Sequence, residues 1–102
     1  MTPEKVIQNA VYSYFKDLEK KGLPAFIERR QAGGFSYKMG IPDLYAVYDG
    51  IHIEIEVKRP GGKLRTMQEK YRDKCERLHI LWICVDDLEQ MKAFMCKYFN
   101  IY

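Results

Sequence analysis

A hairpin signal constrains the fold of this chain more than any other feature. Asp49-Gly50 separates two mainly apolar runs, at residues 43–48 and 51–58, and Asp-Gly is a preferred pair for a two-residue hairpin turn. The two runs are therefore predicted to be antiparallel neighbours in one sheet. The second run alternates apolar and polar residues without a break. This period predicts a strand with an apolar face against a helix and a polar face on the opposite side.

The predicted hairpin brings two acidic residues to the same end of the sheet. Asp43 lies near the start of one strand and Glu56 near the end of the other. Their carboxylate oxygens suit Mg²⁺ or Mn²⁺, and the Val57 main-chain carbonyl could provide a third ligand. Lys58 shares the face of Glu56, where it could orient or deprotonate a water or stabilise negative charge. Phosphodiester hydrolysis needs such groups, whereas the alternative is a solvent-facing strand with cross-strand ion pairs.

Three further segments carry helix signals. The run Thr2-Pro3-Glu4 predicts an N-cap, a first helical position and a first-turn acid for a helix that extends to about Lys21. Thr66 is predicted to cap a second helix, with Glu69 completing a capping box. Asp86-Asp87 is predicted to start a final helix. The buried stripes predicted for the last two helices are Met67, Tyr71, Cys75 and Leu78, and then Leu88, Met91, Met95 and Tyr98.

Two more strands and a glycine-rich loop complete the predicted order. Residues 25–30 can form a first strand, and the uninterrupted apolar run at 80–85 predicts a strand that is covered on both faces and parallel to its neighbour. Residues 31–40 are predicted to be a loop, in which Phe35 and Tyr37 could stack on bases. The order α-β-β-β-α-β-α predicts an α/β fold with a mixed four-stranded sheet flanked by helices, as a single domain over residues 1–102.

Basic residues are concentrated just after the second predicted strand of the hairpin. The net charge is only +3, yet residues 58–77 hold eight basic and three acidic residues, so this stretch should attract phosphate. The alternative is a solvated helix face with ion pairs one turn apart. The residues predicted to contact DNA are Arg59, Lys63, Arg65, Lys70, Arg72 and Lys74, together with Lys38 and Tyr37 from the loop.

Other residue types favour plainer interpretations. The three cysteines lack CxxC spacing and are predicted to be reduced, structural thiols of a cytoplasmic protein. His52 lies at the far end of its strand from Glu56 and is predicted either to be solvated or to support the site indirectly, rather than to bind a metal or act as a base. No apolar run approaches the roughly 20 residues that span a bilayer, and no signal peptide is recognisable. Neither a membrane nor an organic cofactor is expected.

Three motifs together resemble a known nuclease family. They are Gly40-Ile41-Pro42-Asp43, the segment EVKRPGGKL at residues 56–64, and Gln68 in the helix that follows. With them, nearly the whole chain resembles the virus-type replication-repair nuclease (VRR-Nuc) family of the PD-(D/E)xK superfamily. The resemblance implies a restriction-endonuclease-like fold.

The resemblance also implies roles for individual residues. Asp43 and Glu56 would bind the metal, Lys58 would be catalytic, and Gln68 would support the site from its helix. Glu4 matches an acidic position in the first helix of the family, which is often near the metal. Stand-alone members of this size occur in phage and bacterial genomes and resemble Holliday junction resolving enzymes.

These observations lead to one predicted function and two alternatives. We expect a Mg²⁺-dependent (or Mn²⁺-dependent), structure-selective DNA endonuclease that acts on branched DNA, such as four-way junctions, in repair or recombination. A homodimer is expected because symmetric cleavage of a junction needs two sites related by a two-fold axis, with residues 91–102 as the candidate interface. The alternatives are a monomeric nicking or flap nuclease and a non-catalytic nucleic-acid-binding module.

Overall fold

The chain folds as an α/β sandwich in which one mixed sheet carries helices on both faces. A computed structural model describes residues 1–30 and 37–101. The elements are α1 (Pro3–Lys20), β1 (Ala25–Arg29), β2 (Leu44–Tyr48), β3 (Ile51–Val57), α2 (Thr66–Arg77), β4 (Leu81–Val85) and α3 (Leu88–Phe99). The sheet order is β1-β2-β3-β4, in which β2 is antiparallel to both β1 and β3 and β4 is parallel to β3. The predicted fold class, element order and parallel last strand are thus confirmed.

The first helix begins and ends where its sequence predicts. The Thr2 hydroxyl accepts a hydrogen bond from the Lys5 amide at 3.2 Å, and Pro3 occupies the first helical position. Gly22 follows the helix at φ +85°, a conformation that side chains disfavour. The N-terminus of α1, including Glu4, is thereby fixed beside the sheet.

The apolar core lies between one face of the sheet and the helices α1 and α3. β2 and β3 both direct alternate residues into it, as strands do when one face is covered. Burying these side chains supplies most of the driving force for folding. The main contributors are Val11, Phe15 and Leu18 of α1, Leu44 and Ala46 of β2, Ile53, Ile55 and Val57 of β3, and Met91 and Met95 of α3.

The opposite face of β3 is buried rather than exposed to solvent. Glu54 and Glu56 are only 3% and 2% exposed, so the alternative of solvent-facing strand acids is wrong. Helix α2 lies over this face. Burial, and after it the charge of Glu54, raises the pKa of two side chains on that helix, the Tyr71 hydroxyl and the Cys75 thiol. Two acidic side chains therefore lie between a sheet and a helix, where each needs a partner.

Helix α2 begins differently from the prediction. Arg65 is the N-cap and Thr66 is the first helical residue. The Arg65 amide donates to Gln68 Oε1 at 2.8 Å, so Gln68 rather than Glu69 makes the reciprocal bond of a capping box. The buried side of the helix consequently includes Gln68 and Cys75, whereas Leu78, predicted to be buried, is 54% exposed.

The C-terminal part of the chain also departs from the prediction in two places. Within residues 1–30 and 37–101, β4 is an edge strand that pairs only with β3, and four of its five residues are only partly buried. In α3, Asp87 caps the first turn by accepting from the Gln90 amide at 2.9 Å. Tyr98, predicted to be buried, is 50% exposed, while the Phe99 ring packs 5.1 Å from that of Tyr48.

Cys75, Cys84 and Cys96 form no disulfide, in agreement with the prediction. Within residues 1–30 and 37–101, no helix has the length and apolar character that crossing a membrane requires.

Candidate active site

Asp43 and Glu56 lie opposite each other at one end of the sheet. Leu44 pairs with Ile55 in the antiparallel ladder, so the next position along the same register sets Asp43 against Glu56. The Arg30 amide donates to the Asp43 carbonyl at 2.7 Å, which extends the pairing with β1 to this position. The predicted juxtaposition of the two acids is present in the structure.

Glu56 is a buried carboxylate with an unsatisfied oxygen. Its Oε1 has no hydrogen-bond partner among the described residues. Burial and, after it, the neighbouring charge of Asp43 together raise the pKa of Glu56 to about 7, against the opposing effects of Lys58, the Val57 amide and Arg65. A carboxylate in this state is short of positive charge and of hydrogen-bond donors.

These donors fit a hard divalent cation. An unpaired carboxylate oxygen, a second carboxylate and the adjacent main-chain carbonyl of Val57 are all oxygen ligands. Within the part of the chain that the structure describes, no group of three or more Asp, Glu, His or Cys side chains is close enough to hold a metal ion. The fit therefore rests on the two acids and the main chain.

Two hollows share the N-terminus of α1, and one of them borders Asp43. One, of about 480 Å³, is lined by Glu4, Gln8, Arg30, Asp43 and Val57 among others. The second, of about 350 Å³, is lined by Glu4 together with Lys58, Arg59, Gly62 and Lys63. Glu4 borders both hollows, so it stands between the Asp43 side and the Lys58 side of the site.

Lys58 follows directly on β3, and its main chain is held by the sheet. Its amide donates to the Val85 carbonyl at 2.9 Å, which continues the parallel pairing with β4 past the last strand residue. Its side chain is half-buried and borders the second hollow. The charge of Lys58 also acts on Glu56, where it opposes the rise in the pKa of that carboxylate.

Gln68 is buried but borders neither hollow. Its carbonyl oxygen accepts the hydrogen bond from the Arg65 amide at the start of α2.

Gly40 brings the segment before Asp43 against the first turn of α2. At φ +72°, a Cβ on Gly40 would lie 2.3 Å from the Met67 carbonyl oxygen and 2.6 Å from the Gln68 amide nitrogen. Only glycine allows the two main chains to approach so closely.

The predicted DNA-binding residues fall into two groups. Arg59 and Lys63 border the hollow that contains Lys58. Lys70 and Lys74 instead border a separate hollow of about 230 Å³, which α2 forms with Met39 and Ile41. Arg72 pairs with Asp73 at 3.2 Å.

The remaining loop and helix residues make local contacts. The Arg65 guanidinium lies 3.9 Å over the exposed Tyr37 ring and donates to the Tyr37 carbonyl at 3.0 Å. Lys38 is exposed, and Phe35 lies outside the described residues. His52 contacts Glu54 and stacks on Tyr45 with ring centroids 5.1 Å apart, so it belongs to the Glu54 surroundings.

Sequence reasoning missed the ion pair next to the site. The Arg30 guanidinium donates to both oxygens of Glu54, at 2.6 and 2.8 Å, and to the Pro42 carbonyl at 2.9 Å. Arg30 could have been found from its position opposite Asp43, but that position follows only once the register between β1 and β2 is known.

Cys84, opposite Glu56 on β4, was also missed as a neighbour of the site. Burial, followed by the charge of Glu56, raises the pKa of its thiol to about 11, so it is protonated at neutral pH.

Comparisons with known proteins identify the fold. No protein-family model matches the chain, and no curated protein matches it significantly. A solved structure described as "VRR_NUC domain" matches 97% of this chain and 99% of its own, with a TM-score of 0.76 and 19% sequence identity. The chain has the fold of a VRR_NUC domain. The match agrees with the resemblance drawn from the motifs, and at this identity it establishes the architecture.

Proposed function

We propose that this chain is a VRR-Nuc-type nuclease domain that hydrolyses phosphodiester bonds in DNA with the help of Mg²⁺ or Mn²⁺. The observation that carries the proposal is Glu56, buried with one unpartnered oxygen and opposite Asp43. The VRR_NUC fold supports it, since that description names a nuclease domain.

Each residue at the site has a proposed role. Asp43, Glu56 and the Val57 carbonyl would hold the cation, and Glu4, which borders both hollows, would complete the anionic side of the site. When bound, the cation supplies Lewis acidity toward the phosphate. Lys58 would orient the attacking water or stabilise the more anionic transition state. Gln68 would keep the first turn of α2, and with it the loop before Asp43, in place.

Arg59 and Lys63 are proposed to bind the phosphates that flank the cleaved bond, because they border the same hollow as Lys58. Lys70, Arg72 and Lys74 would contact DNA further from the cut, and Lys38, Arg65 and Tyr37 would contribute from the loop side of α2. Contacts of this kind add affinity that weakens with salt.

The proposed substrate is branched DNA cut by a homodimer, since two symmetric incisions need two related sites. Tyr98, half exposed on α3, is the residue to substitute when testing this interface, because Phe99 packs on Tyr48 in the core. Sedimentation equilibrium should give a dimer that Tyr98→Glu weakens. A species of about 12 kDa at every concentration would favour a monomeric nicking or flap nuclease.

The test of the proposed activity uses the purified full chain and labelled DNA. Four-way junction, flap, bubble, single-stranded and duplex substrates are incubated with Mg²⁺, Mn²⁺, Ca²⁺ or EDTA. We expect cleavage with Mg²⁺ or Mn²⁺ that is fastest on branched DNA, and binding without turnover in Ca²⁺. Tight DNA binding with no cleavage in any metal would identify a non-catalytic binding module instead.

A further inference from the structure

We propose that Arg30 is a positioning residue that sets Asp43 and Glu56 at the separation needed to share one cation. The inference rests on the proposed function, because it assigns Arg30 to the same site. Arg30 itself was not among the residues that the sequence motifs indicated.

The Arg30 side chain joins the two strands that carry the acids. One guanidinium nitrogen donates to the Pro42 carbonyl at 2.9 Å and to Glu54 Oε1 at 2.6 Å, and the other donates to Glu54 Oε2 at 2.8 Å. The Pro42 carbonyl belongs to the peptide unit that precedes Asp43. Glu54 is two residues before Glu56 on the same face of β3. A planar fork with several donors can make these three bonds at once, which a lysine cannot.

The main chain of Arg30 acts on the same residue as its side chain. Its amide donates to the Asp43 carbonyl at 2.7 Å. The peptide units on both sides of Asp43 are therefore held by one residue, the preceding unit by the guanidinium and the following carbonyl by the amide. A shift of Arg30 would move Asp43 against β3 and change the gap that the cation must bridge.

Charge adds a second reason. The Glu54 side chain is 4% exposed, and that of Arg30 is 24% exposed, so the pair is largely removed from water. Without the guanidinium, Glu54 would become a further buried negative charge beside Asp43 and Glu56. The Arg30–Glu54 pair keeps the local excess of negative charge on the two acids that face the proposed cation.

A purely structural ion pair would behave differently under substitution. Replacing both members of a buried pair with neutral groups often leaves stability nearly unchanged. If the pair were only structural, such a variant would bind metal and cleave DNA normally. A residue that orients metal ligands instead changes metal affinity or activity by about 10- to 100-fold when removed.

The experiment compares the wild type with Arg30→Met/Glu54→Gln, Arg30→Lys and a charge-matched control, Lys21→Met, an exposed residue just after α1. Three quantities are measured: the unfolding temperature, the Mn²⁺ dissociation constant by calorimetry without DNA, and kcat and KM on the best DNA substrate. We expect the double variant to unfold within a few degrees of the wild type. Its Mn²⁺ affinity and its kcat should each fall by about tenfold or more, with KM changed less than about twofold. The control should match the wild type.

Arg30→Lys separates geometry from charge, and should remain folded while losing metal affinity almost as the double variant does. If Arg30→Lys has the Mn²⁺ affinity and kcat of the wild type, the positioning role is overturned, and neutralising the charge of Glu54 is the whole role of Arg30. Wild-type Mn²⁺ affinity and kcat in the folded double variant would overturn the inference as well. If the wild type binds Mn²⁺ but cuts no DNA, the proposed function fails while the calorimetry still tests Arg30. If the wild type does not bind Mn²⁺, both fail.

Discussion

Glu54 and Glu56 lie on the same face of β3 and are almost equally buried, yet their surroundings are opposite. Glu54 has both oxygens bonded to Arg30 and contacts His52 as well. Glu56, two residues later, has an oxygen with no partner in the described part of the chain and a pKa raised to about 7. The first carries its counter-charge, and the second is the acid that we propose to bind the cation. Burial alone does not separate the two roles, whereas the presence or absence of a partner does.

The largest expected effect is the loss of DNA cleavage when Glu56, the acid with an unpartnered oxygen, or Asp43 opposite it is substituted. Glu56→Gln or Asp43→Asn should lower kcat by at least about a thousandfold, because each removes a charged cation ligand and the electrostatic stabilisation that depends on it. Labelled-junction cleavage under single turnover measures this, with Glu28→Gln on the exposed side of β1 as the control. Near wild-type cleavage by either variant would break the contrast between the two glutamates.

Lys58 should act on the rate and the distant lysines on binding. Lys58→Met is expected to lower kcat by about a hundredfold, the usual scale for losing one transition-state stabiliser, with little change in DNA affinity. Lys74→Met should instead weaken binding and reduce the salt slope by about one. Filter binding at several salt concentrations, paired with single-turnover rates, distinguishes them. If Lys58→Met weakened only DNA binding and Lys74→Met lowered only the rate, the reaction would not take place at the end of β3.

Stability should change in opposite directions at the two glutamates. Glu54→Gln leaves the largely buried Arg30 without its counter-charge and should lower the free energy of unfolding by about 2–3 kcal/mol. Glu56→Gln removes an unpaired buried charge and should raise it by about 2 kcal/mol at pH 8 without metal. That figure is below the roughly 3 kcal/mol that a pKa rise from 4.5 to about 7 represents, because a buried amide also loses hydrogen bonds to water. Urea denaturation of both variants checks the signs, and equal signs would contradict the comparison.

The smallest effect expected is a pH dependence that belongs to Glu56. Because its pKa is higher in the folded state, the folded protein holds this proton more tightly. The stability that this contributes is fully present below about pH 4.5 and is lost as the pH rises through about 7. In metal-free protein, Glu56→Gln should flatten stability between those values. Mn²⁺ affinity of the wild type should rise over the same range, since the cation needs the ionised carboxylate, and a flat titration would refute the assignment.

The parts of the fold that could be predicted from sequence are those with local signals. The Asp49-Gly50 turn and the alternation after it determine the register between β2 and β3, and so bring Asp43 opposite Glu56. Pro3 and Gly22 mark the ends of α1 by their own backbone preferences. These features need only neighbouring residues, so a single sequence is enough to find them.

The parts that were missed depend on contacts between distant residues. Arg30 meets Glu54 across two strand pairings, and Arg30 and Asp43 are too far apart in the sequence for a local signal to set the register of β1. The alternation of β3 could not reveal that α2 covers its polar face at Glu54 and Glu56, so their deep burial was not predicted. The N-cap of α2 is Arg65 rather than the predicted Thr66. The buried Gln68 side chain, rather than Glu69, accepts the hydrogen bond from the N-cap amide.

The close approach at Gly40 also affects how this domain could be redesigned. A Cβ at residue 40 would meet the main chain of α2 at Met67 and Gln68, whereas Lys70, Arg72 and Lys74 carry their charges on later turns of that helix. Libraries restricted to Lys70, Arg72 and Lys74 should therefore change which DNA is held and leave Asp43 in place, whereas any side chain at residue 40 would displace the segment before Asp43.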